Sequence, residues 1–299
     1  MKKNKLFAIP LSLAILAMSV TASFGAGPGD FLTRDSSTGL TVNTAESASA
    51  MDATDTADAD TSAASAIAQL RLVPDATSNN YAGSKAEPIF GVQTDKPQVA
   101  LSFDAGSDRG NGAAIMDILE KYNIRSTFFL TANWINSYPE EAAAIISRGH
   151  EVGNHSVSHP SFPKLSTVQM NTQIQQTHQL VKDKFGIDMC LFRYPYGDYN
   201  NNTMDVLKSN GYYAIQWTVD SIDWRNEGRE IMINRVLNHK KLGNGTIVLM
   251  HLAATYTPSA LEEIIVGLQA KGYEIVPVSH LIYEKNYHMN SAGIQIPEV

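Results

Sequence analysis

The chain has 299 residues, of which 43% are hydrophobic and 18% are charged, a composition typical of globular rather than fibrous proteins. Its formal charge at pH 7 is −7, and because phosphate binding needs a basic surface, we expect no nucleic-acid partner. The length allows one domain of ordinary size together with additional segments.

The first residues have the pattern of an export signal. Three lysines in the first five positions precede an apolar run over residues 6–20, and small residues cluster up to Ala26. This predicts a signal peptide over residues 1–26, a secreted or cell-envelope location, and no stable membrane insertion after cleavage. The alternative is an uncleaved anchor, which the run disfavours because a spanning helix needs about 20 apolar residues.

Residues 27–90 are predicted to form a low-complexity linker. The stretch 41–66 consists largely of Ala, Asp, Thr, Ser and Glu and has no aromatic residue. Such a stretch buries too little apolar surface to offset the entropy of ordering. Its aspartates could suggest a calcium loop, but charges that keep a tether solvated are the favoured interpretation.

Residues 91–285 alternate short apolar runs with helical periodicity. The predicted strands cover residues 99–103, 126–131, 151–154, 191–194, 213–218, 246–251 and 273–278. The predicted helices cover residues 113–122, 140–148, 167–185, 202–210, 230–240 and 259–271. This alternation predicts an α/β fold, a distorted (β/α) barrel of about seven parallel strands, with the active site at their carboxyl ends. Residues 286–299 are described as a C-terminal tail.

Cys190 is the single cysteine, so the chain has no internal disulfide. It precedes a predicted strand and is interpreted as a small buried hydrophobic residue rather than a nucleophile.

Two histidines form the strongest metal-binding signal. His155 and His159 are four positions apart, and on a helical turn both imidazoles would point the same way. Neutral imidazole is a good ligand for zinc. Such a pair is more often a surface or capping pair, but its position directly after a predicted strand favours metal ligation.

Charged residues also follow the other predicted strands. Asp104 is a candidate general base or metal ligand, with a turn-forming aspartate as the alternative. His251 ends an apolar run and could be a core histidine. Arg193 lies among apolar residues, where burial would require a carboxylate partner. Asp223 could cap a helix, or could orient His251 and raise its basicity.

Five motifs now stand in order along the chain. They are Ser-Phe-Asp-Ala-Gly at 102–106, His-Ser-Val-Ser-His at 155–159, Arg-Tyr-Pro-Tyr-Gly at 193–197, Asp-Ser-Ile-Asp-Trp at 220–224, and Leu-Met-His at 249–251. On these motifs, the segment 99–282 resembles the polysaccharide deacetylases of the NodB-homology type, carbohydrate esterase family four.

The resemblance implies a role for each motif residue. It makes Asp104 the catalytic base, Arg193 the partner of that base, and His155 and His159 metal ligands. It makes His251 the general acid and Asp223 the residue that tunes it. The Tyr196 N–H becomes an oxyanion donor, and Trp224 and Pro195 become pocket residues.

One position departs from the family pattern. Ala105 stands where the family has a metal-binding aspartate, so the motifs supply two ligands where a catalytic zinc site usually has three. Asp104 could itself reach the metal, Asp108 could fold back as a substitute, or the site could bind metal weakly or not at all. We still expect a divalent metal cofactor, with zinc favoured.

The resemblance therefore implies hydrolytic deacetylation of an N-acetylated polysaccharide, such as peptidoglycan or a chitin-like glycan, with release of acetate by a monomer. The alternatives are an O-deacetylase of the acetyl-xylan type and, because of Ala105, a catalytically impaired glycan-binding homologue. A purely structural envelope protein would leave the five motifs unexplained.

Overall fold

The structure is a computed structural model that describes residues 87–298. The signal-peptide prediction for 1–26, and the linker prediction for 27–86, lie outside the described residues. Within the described part of the chain, no helix combines the length and apolar character needed to cross a membrane.

Strands and helices alternate along the domain. The strands are β1 Gly91–Val92, β2 Gln98–Ala105, β3 Thr127–Leu130, β4 Glu151–Asn154, β5 Leu191–Phe192, β6 Tyr213–Ala214, β7 Val219–Asp220, β8 Thr246–His251, β9 Glu274–Ile275, β10 Tyr287–Met289 and β11 Ile294–Pro297. The helices are α1 Gly112–Lys121, α2 Ala132–Ser137, α3 Pro139–Ser147, α4 Thr167–Phe185, α5 Asn201–Ser209, α6 Arg229–Leu237, α7 Thr257–Ala270 and α8 Val278–Leu281. Short 3-10 turns lie at Phe162–Lys164, Pro195–Gly197 and Asp223–Arg225.

The strands join in one curled sheet with the order β10-β11-β1-β8-β2-β3-β4-β5-β6, while β7 pairs with β8 and β9 with β2. The run from β8 to β6 is parallel throughout. The predicted α/β class with a distorted (β/α) barrel is confirmed. Parallel pairing aligns the carboxyl ends of neighbouring strands, so the loops that follow them meet on one side of the sheet.

The central strand β2 shows how the sequence fills both sides of the sheet. Val99, Leu101 and Phe103 are fully buried in the larger apolar cluster, beneath the covering helices. Ser102 and Asp104 alternate with them and point to the opposite side, because successive side chains of a strand alternate between faces. The strand thus delivers one carboxylate to the interior of the curled sheet at its carboxyl end.

Helix boundaries are most predictable where capping chemistry is present. Helix α4 spans the predicted residues 167–185. The Ser166 hydroxyl accepts from the Gln169 N–H at 3.3 Å, and the Gln169 side chain accepts from the Ser166 N–H at 2.9 Å. The helix ends at Gly186, whose left-handed φ of 71° terminates it.

Two chain segments pack in ways that the sequence pattern did not indicate. Residues 286–298, described from sequence as a tail, contribute β10 and β11, and the buried Gln295 side chain bonds both the N–H and the carbonyl of Tyr283. Residues 87–90, assigned to the linker, lie against the domain, with Ile89 bridged to Ile215. Both segments depend on pairing with strands distant in sequence.

A buried carboxyl group lies at the amino ends of β3 and β4, away from the motifs. Glu151 Oε2 accepts from the Thr127 hydroxyl at 2.5 Å and from the Ser279 N–H at 3.2 Å. The Thr127 hydroxyl in turn accepts from the Val278 N–H at 2.9 Å, so this group ties α8 to the sheet. Burial raises the pKa of Glu151, although hydrogen bonds from Ser279 and Thr127 oppose the rise.

The Glu151→Gln variant should lose less stability than the parent protein as the pH rises. In the folded protein the pKa of Glu151 lies above its ordinary value of 4.5. Neutral Glu151 therefore contributes its full stabilisation below pH 4.5, and this contribution is lost as the pH rises through the raised pKa. Urea denaturation of both proteins at mildly acidic and mildly alkaline pH gives the comparison. An identical pH dependence in the two proteins would contradict it.

Candidate active site

Two candidate acid–base residues stand beside each other on the two central strands. In the parallel pairing of β2 with β8, Asp104 is in register with His251 at the last paired position. Both side chains lie at the carboxyl ends of their strands, where a barrel-like sheet gathers its functional groups. The register therefore places a carboxylate and an imidazole on one side of the sheet.

Asp104 forms a buried ion pair with Arg193. Arg193 is 0% exposed, and its Nη1 donates to Asp104 Oδ1 at 2.7 Å. Its Nη2 donates to the Ser102 hydroxyl at 2.9 Å, and its guanidinium lies 4.1 Å from the centre of the Phe129 ring. The predicted carboxylate partner of a buried Arg193 is thus present, and charge compensation makes both burials tolerable.

The pair also controls the ionisation of Asp104. Burial by itself would raise the pKa of Asp104, but Arg193 and, more weakly, His155 and His251 lower it below its usual value. Arg193 occupies Oδ1, whereas Oδ2 faces His155 Nε2 at 3.6 Å, beyond hydrogen-bond distance. Asp104 is therefore an ionised carboxylate with one oxygen free to accept a proton.

His251 is held by a second carboxylate. Its Nδ1 lies 2.7 Å from Asp223 Oδ1, and its backbone N–H donates to Asp223 Oδ2 at 2.7 Å. The Thr257 hydroxyl also donates to Oδ2, so Asp223 is fixed from three directions. Burial alone would lower the pKa of His251, but the hydrogen bond and charge of Asp223 raise it above its usual value. Because the Asp223 carboxylate accepts from Nδ1–H, the second proton of the imidazolium lies on Nε2, which is the ring nitrogen left to exchange a proton.

His155 and His159 do come together, but not on a helical turn as predicted. They lie in the loop after β4, where Ser156 and His159 have left-handed φ values of 72° and 60°. Side chains hold this loop: Asn154 Oδ1 accepts from the Ser156 N–H, and the Ser156 hydroxyl accepts from the His159 N–H. The two rings still meet edge to face, with 4.7 Å between their centroids.

Both imidazoles are neutral at physiological pH. Burial is the main cause that lowers the pKa of His155, to about 4, and it also lowers the pKa of His159. His155 Nδ1 lies 2.8 Å from the Arg193 carbonyl, which assigns the ring proton to Nδ1 and leaves Nε2 with its lone pair toward Asp104. The electronic state of this histidine suits metal ligation.

A cavity of about 840 Å³ opens over these groups. Its lining includes Asp104, His155, His159 and His251, with Tyr196 and Trp224 at 68% and 54% exposure. Arg193 and Asp223 lie directly behind the lining, in contact with Asp104 and His251. Pro195, assigned to the pocket by the resemblance, is buried and is not one of the lining residues.

Other lining residues had not been assigned a role from sequence. They include Ser107, Asn133, Ser158, Asp220 and Asn226. Asp220 opens the fourth motif and Ser158 lies within the second, so both could have been found there, whereas Asn133 lies in α2 outside any motif. Local sequence does not indicate which loop residues face a cavity.

The loop after β2 is tied closely to the loop after β8. Gly110 has a left-handed φ of 70°, and a Cβ there would lie 2.3 Å from the Leu252 carbonyl oxygen. Asn111 Nδ2 donates to the carbonyls of Leu252 and Ala254, each at 3.2 Å. This close approach requires glycine and fixes one side of the cavity.

The site is one ligand short of a three-residue zinc centre. Ala105 is buried in the larger apolar cluster and offers no donor atom. Asp108 lines the cavity, and Trp134 Nε1 bonds its carbonyl oxygen at 3.0 Å. Among residues 87–298, no three His, Cys, Asp or Glu side chains are grouped closely enough to hold a metal ion together. The residues present therefore do not fit a conventional catalytic zinc site, and zinc binding stays a prediction.

The Ala105→Asp variant should bind zinc at least about tenfold more tightly than the parent protein, because it supplies an anionic ligand at the position where the resemblance places a metal-binding aspartate. Calorimetric titration of chelator-treated protein measures the affinity, and zinc should raise the melting temperature of the variant more than that of the parent. Ala105→Asn is the matched control, since its amide has the same shape without the charge. Equal zinc affinity in all three proteins would refute the assignment.

The curled parallel sheet, with an acid–base cavity at its strand ends, defines a hydrolase-type (β/α) barrel domain. The polysaccharide deacetylase family model matches residues 91–215. The chain is 33% identical over 190 residues to the peptidoglycan-N-acetylmuramic acid deacetylase PdaC of Bacillus subtilis, covering 64% of this chain and 40% of PdaC. It is 30% identical over 191 residues to a peptidoglycan-N-acetylglucosamine deacetylase of Bacillus cereus, covering 62% of this chain and 69% of that protein. The chain belongs to the polysaccharide deacetylase family.

A solved structure extends the comparison. A pseudoenzyme of carbohydrate esterase family 4 from Bacillus anthracis superposes with a TM-score of 0.63 at 28% identity, covering 70% of this chain and 73% of that one. Several curated relatives are much longer than the match, since the chain spans between 40% and 61% of their lengths. Membership of the family thus covers both active enzymes and a protein described as a pseudoenzyme.

Proposed function

We propose that this domain hydrolyses the N-acetyl group of a cell-wall polysaccharide such as peptidoglycan, releasing acetate and a free amino sugar outside the cell. The observation that supports the proposal is that one cavity holds Asp104, whose pKa is lowered, and His251, whose pKa is raised by Asp223. These two groups have opposite proton-transfer roles, which amide hydrolysis requires.

The proposed reaction begins with a water molecule beside Asp104. The free Oδ2 of Asp104 takes a proton from this water while the water oxygen bonds to the acetyl carbonyl carbon. The carbon becomes tetrahedral, and the carbonyl oxygen becomes an oxyanion. The backbone N–H of Tyr196, in the loop that carries Arg193, is proposed to stabilise the oxyanion. Arg193 stays on Oδ1 and keeps the carboxylate oriented.

His251 completes the reaction. Its Nε2 proton passes to the sugar nitrogen as the C–N bond breaks, because an amine anion is a poor leaving group. The charge of Asp223 favours the protonated imidazole that this step consumes. We derive no step through a metal, since the side chains present do not complete a metal site.

A catalytically impaired, glycan-binding homologue is the second candidate function, and Ala105 favours it. The related pseudoenzyme from Bacillus anthracis also occurs as a mutant described as having restored enzymatic activity. Acetate release by the parent protein and by Ala105→Asp separates the two functions. Release by the parent supports the enzyme, and release only by the variant supports the impaired homologue. Testing acetylated xylan beside N-acetylated glycans separates ester from amide hydrolysis.

Asp104→Asn and His251→Ala should each reduce the rate of acetate release from N-acetylated glycan by at least about a hundredfold, the usual scale for acid–base groups. The control is Asp205→Asn, a neutralised carboxylate on the exposed side of α5. Full activity in either site variant, with a normal fold by circular dichroism, would contradict the assigned roles.

Asp223→Asn should move the basic limb of the pH–rate profile to lower pH. His251 must be protonated to donate, so activity falls as pH rises through its pKa, and Asp223 raises that pKa. The variant removes the carboxylate charge while preserving the shape of the side chain. Profiles of kcat/KM against pH give the measurement, and an unmoved basic limb would rule out the tuning role.

A further inference from the structure

The charge of the cavity lining is unbalanced. Asp104, Asp108 and Asp220 contribute three carboxylates, and no lysine or arginine belongs to the lining formed by the described residues. Arg193 neutralises Asp104 from behind, while burial keeps His155 and His159 neutral. The unbalanced carboxylates are Asp108 and Asp220.

Neighbouring cations do not cancel this charge. Arg109 points away from the cavity to Glu141, with Nε 3.0 Å from Oε2. Arg225 lies beside Trp224, 5.0 Å from its ring centre, and is itself 3.7 Å from Glu227. Each exposed arginine near the rim thus has its own carboxylate partner.

Asp220 lies deeper than Asp108. It ends β7, is half-buried, and accepts from the Ile222 N–H at 2.8 Å. In the parallel pairing of β7 with β8, Asp220 is in register with Leu249, two residues before His251, so Asp220 and His251 lie at neighbouring strand ends. A ligand that reaches His251 therefore meets the field of Asp220 as well.

Two exposed aromatic rings provide uncharged contact at the mouth. Tyr196 has a left-handed φ of 61°, and its ring packs edge-on to His159 with centroids 4.5 Å apart. Trp224 follows Asp223, whose carboxylate is directed inward to His251, so the indole faces outward. Such rings can stack on the apolar C–H face of a sugar whatever its charge.

We propose that this cavity selects uncharged N-acetylhexosamine units, of the N-acetylglucosamine kind, over units that carry a free carboxylate such as N-acetylmuramic acid, with Asp108 and Asp220 as the specificity-determining residues. Like charges at close range repel, and the repulsion grows where solvent is partly excluded. The proposal rests on the proposed function for the identity of the glycan. It concerns binding, which can be measured without turnover.

The test uses three oligosaccharides of equal length: an N-acetylglucosamine tetramer, a tetramer alternating N-acetylglucosamine with N-acetylmuramic acid, and the same alternating tetramer with its lactyl carboxylates converted to amides. Calorimetry on the full chain, after chelator treatment so that no bound cation alters the charge, measures the affinities at low salt. We expect the carboxylate form to bind at least about tenfold more weakly than the other two.

Variants then assign the discrimination to particular residues. The single variant Asp108→Asn should reduce the preference against the carboxylate form, and the double variant Asp108→Asn/Asp220→Asn should reduce it further. The control Asp205→Asn should leave the preference unchanged. Trp224→Ala should weaken all three ligands by a similar factor, because stacking does not depend on the lactyl charge. Asp108 is exposed, so its single variant tests the idea even if the double variant fails to fold.

The proposal would be overturned if the carboxylate form bound as tightly as the amide form or more tightly, or if no oligomer bound. It would also be overturned if the discrimination persisted in both Asp108→Asn and the double variant. Acetate release is followed separately on the same oligomers. If no acetate appears while the affinity difference holds, the proposed hydrolysis fails and the selectivity stands.

Discussion

The buried ion pair between Asp104 and Arg193 is the constraint on which the rest of the site depends. It joins β2 to the loop after β5 across the inside of the curled sheet, with 2.7 Å between Nη1 and Oδ1. A charge at either position without the other would be buried uncompensated, at a cost of several kcal/mol. The pair keeps Asp104 ionised in a buried environment and reserves one oxygen for chemistry. It also brings the Arg193 carbonyl to His155 Nδ1, so the same residue orients the base and a candidate ligand.

The second carboxylate–cation pair has a different environment and a different consequence. Asp223 raises the pKa of His251, whereas burial lowers the pKa of His155 to about 4. The pKa values of these two imidazoles thus shift in opposite directions, because only His251 has a carboxylate within hydrogen-bond distance. This separation of acid from base is the electrostatic signature of a hydrolytic site.

Ala105 makes this member of the family instructive. Asp104, His251, His155 and His159 lie together, yet Ala105, at the position where the resemblance places a third ligand, is buried in an apolar cluster. A scaffold can therefore keep its proton-transfer groups while lacking a ligand. The cavity, its exposed aromatic rings and its acidic lining remain suited to glycan recognition in either case.

The sequence alone was sufficient to predict the fold class, and it singled out four residues that the structure gathers in one cavity, Asp104, His155, His159 and His251. Alternation of strand and helix patterns and the chemistry of individual side chains are local properties. Helix α4, β4 and β8 match their predicted bounds for the same reason. The tertiary structure decided what depends on contacts between distant residues. Asp104 and Arg193 are 89 positions apart, and their bond follows from the order and curl of the strands. The same applies to the register of Asp104 with His251, to the place of Asp220 in the cavity, and to the strands β10 and β11. It applies also to the non-helical path from His155 to His159. No local stretch of chain determines such contacts, because they depend on which distant strands pair.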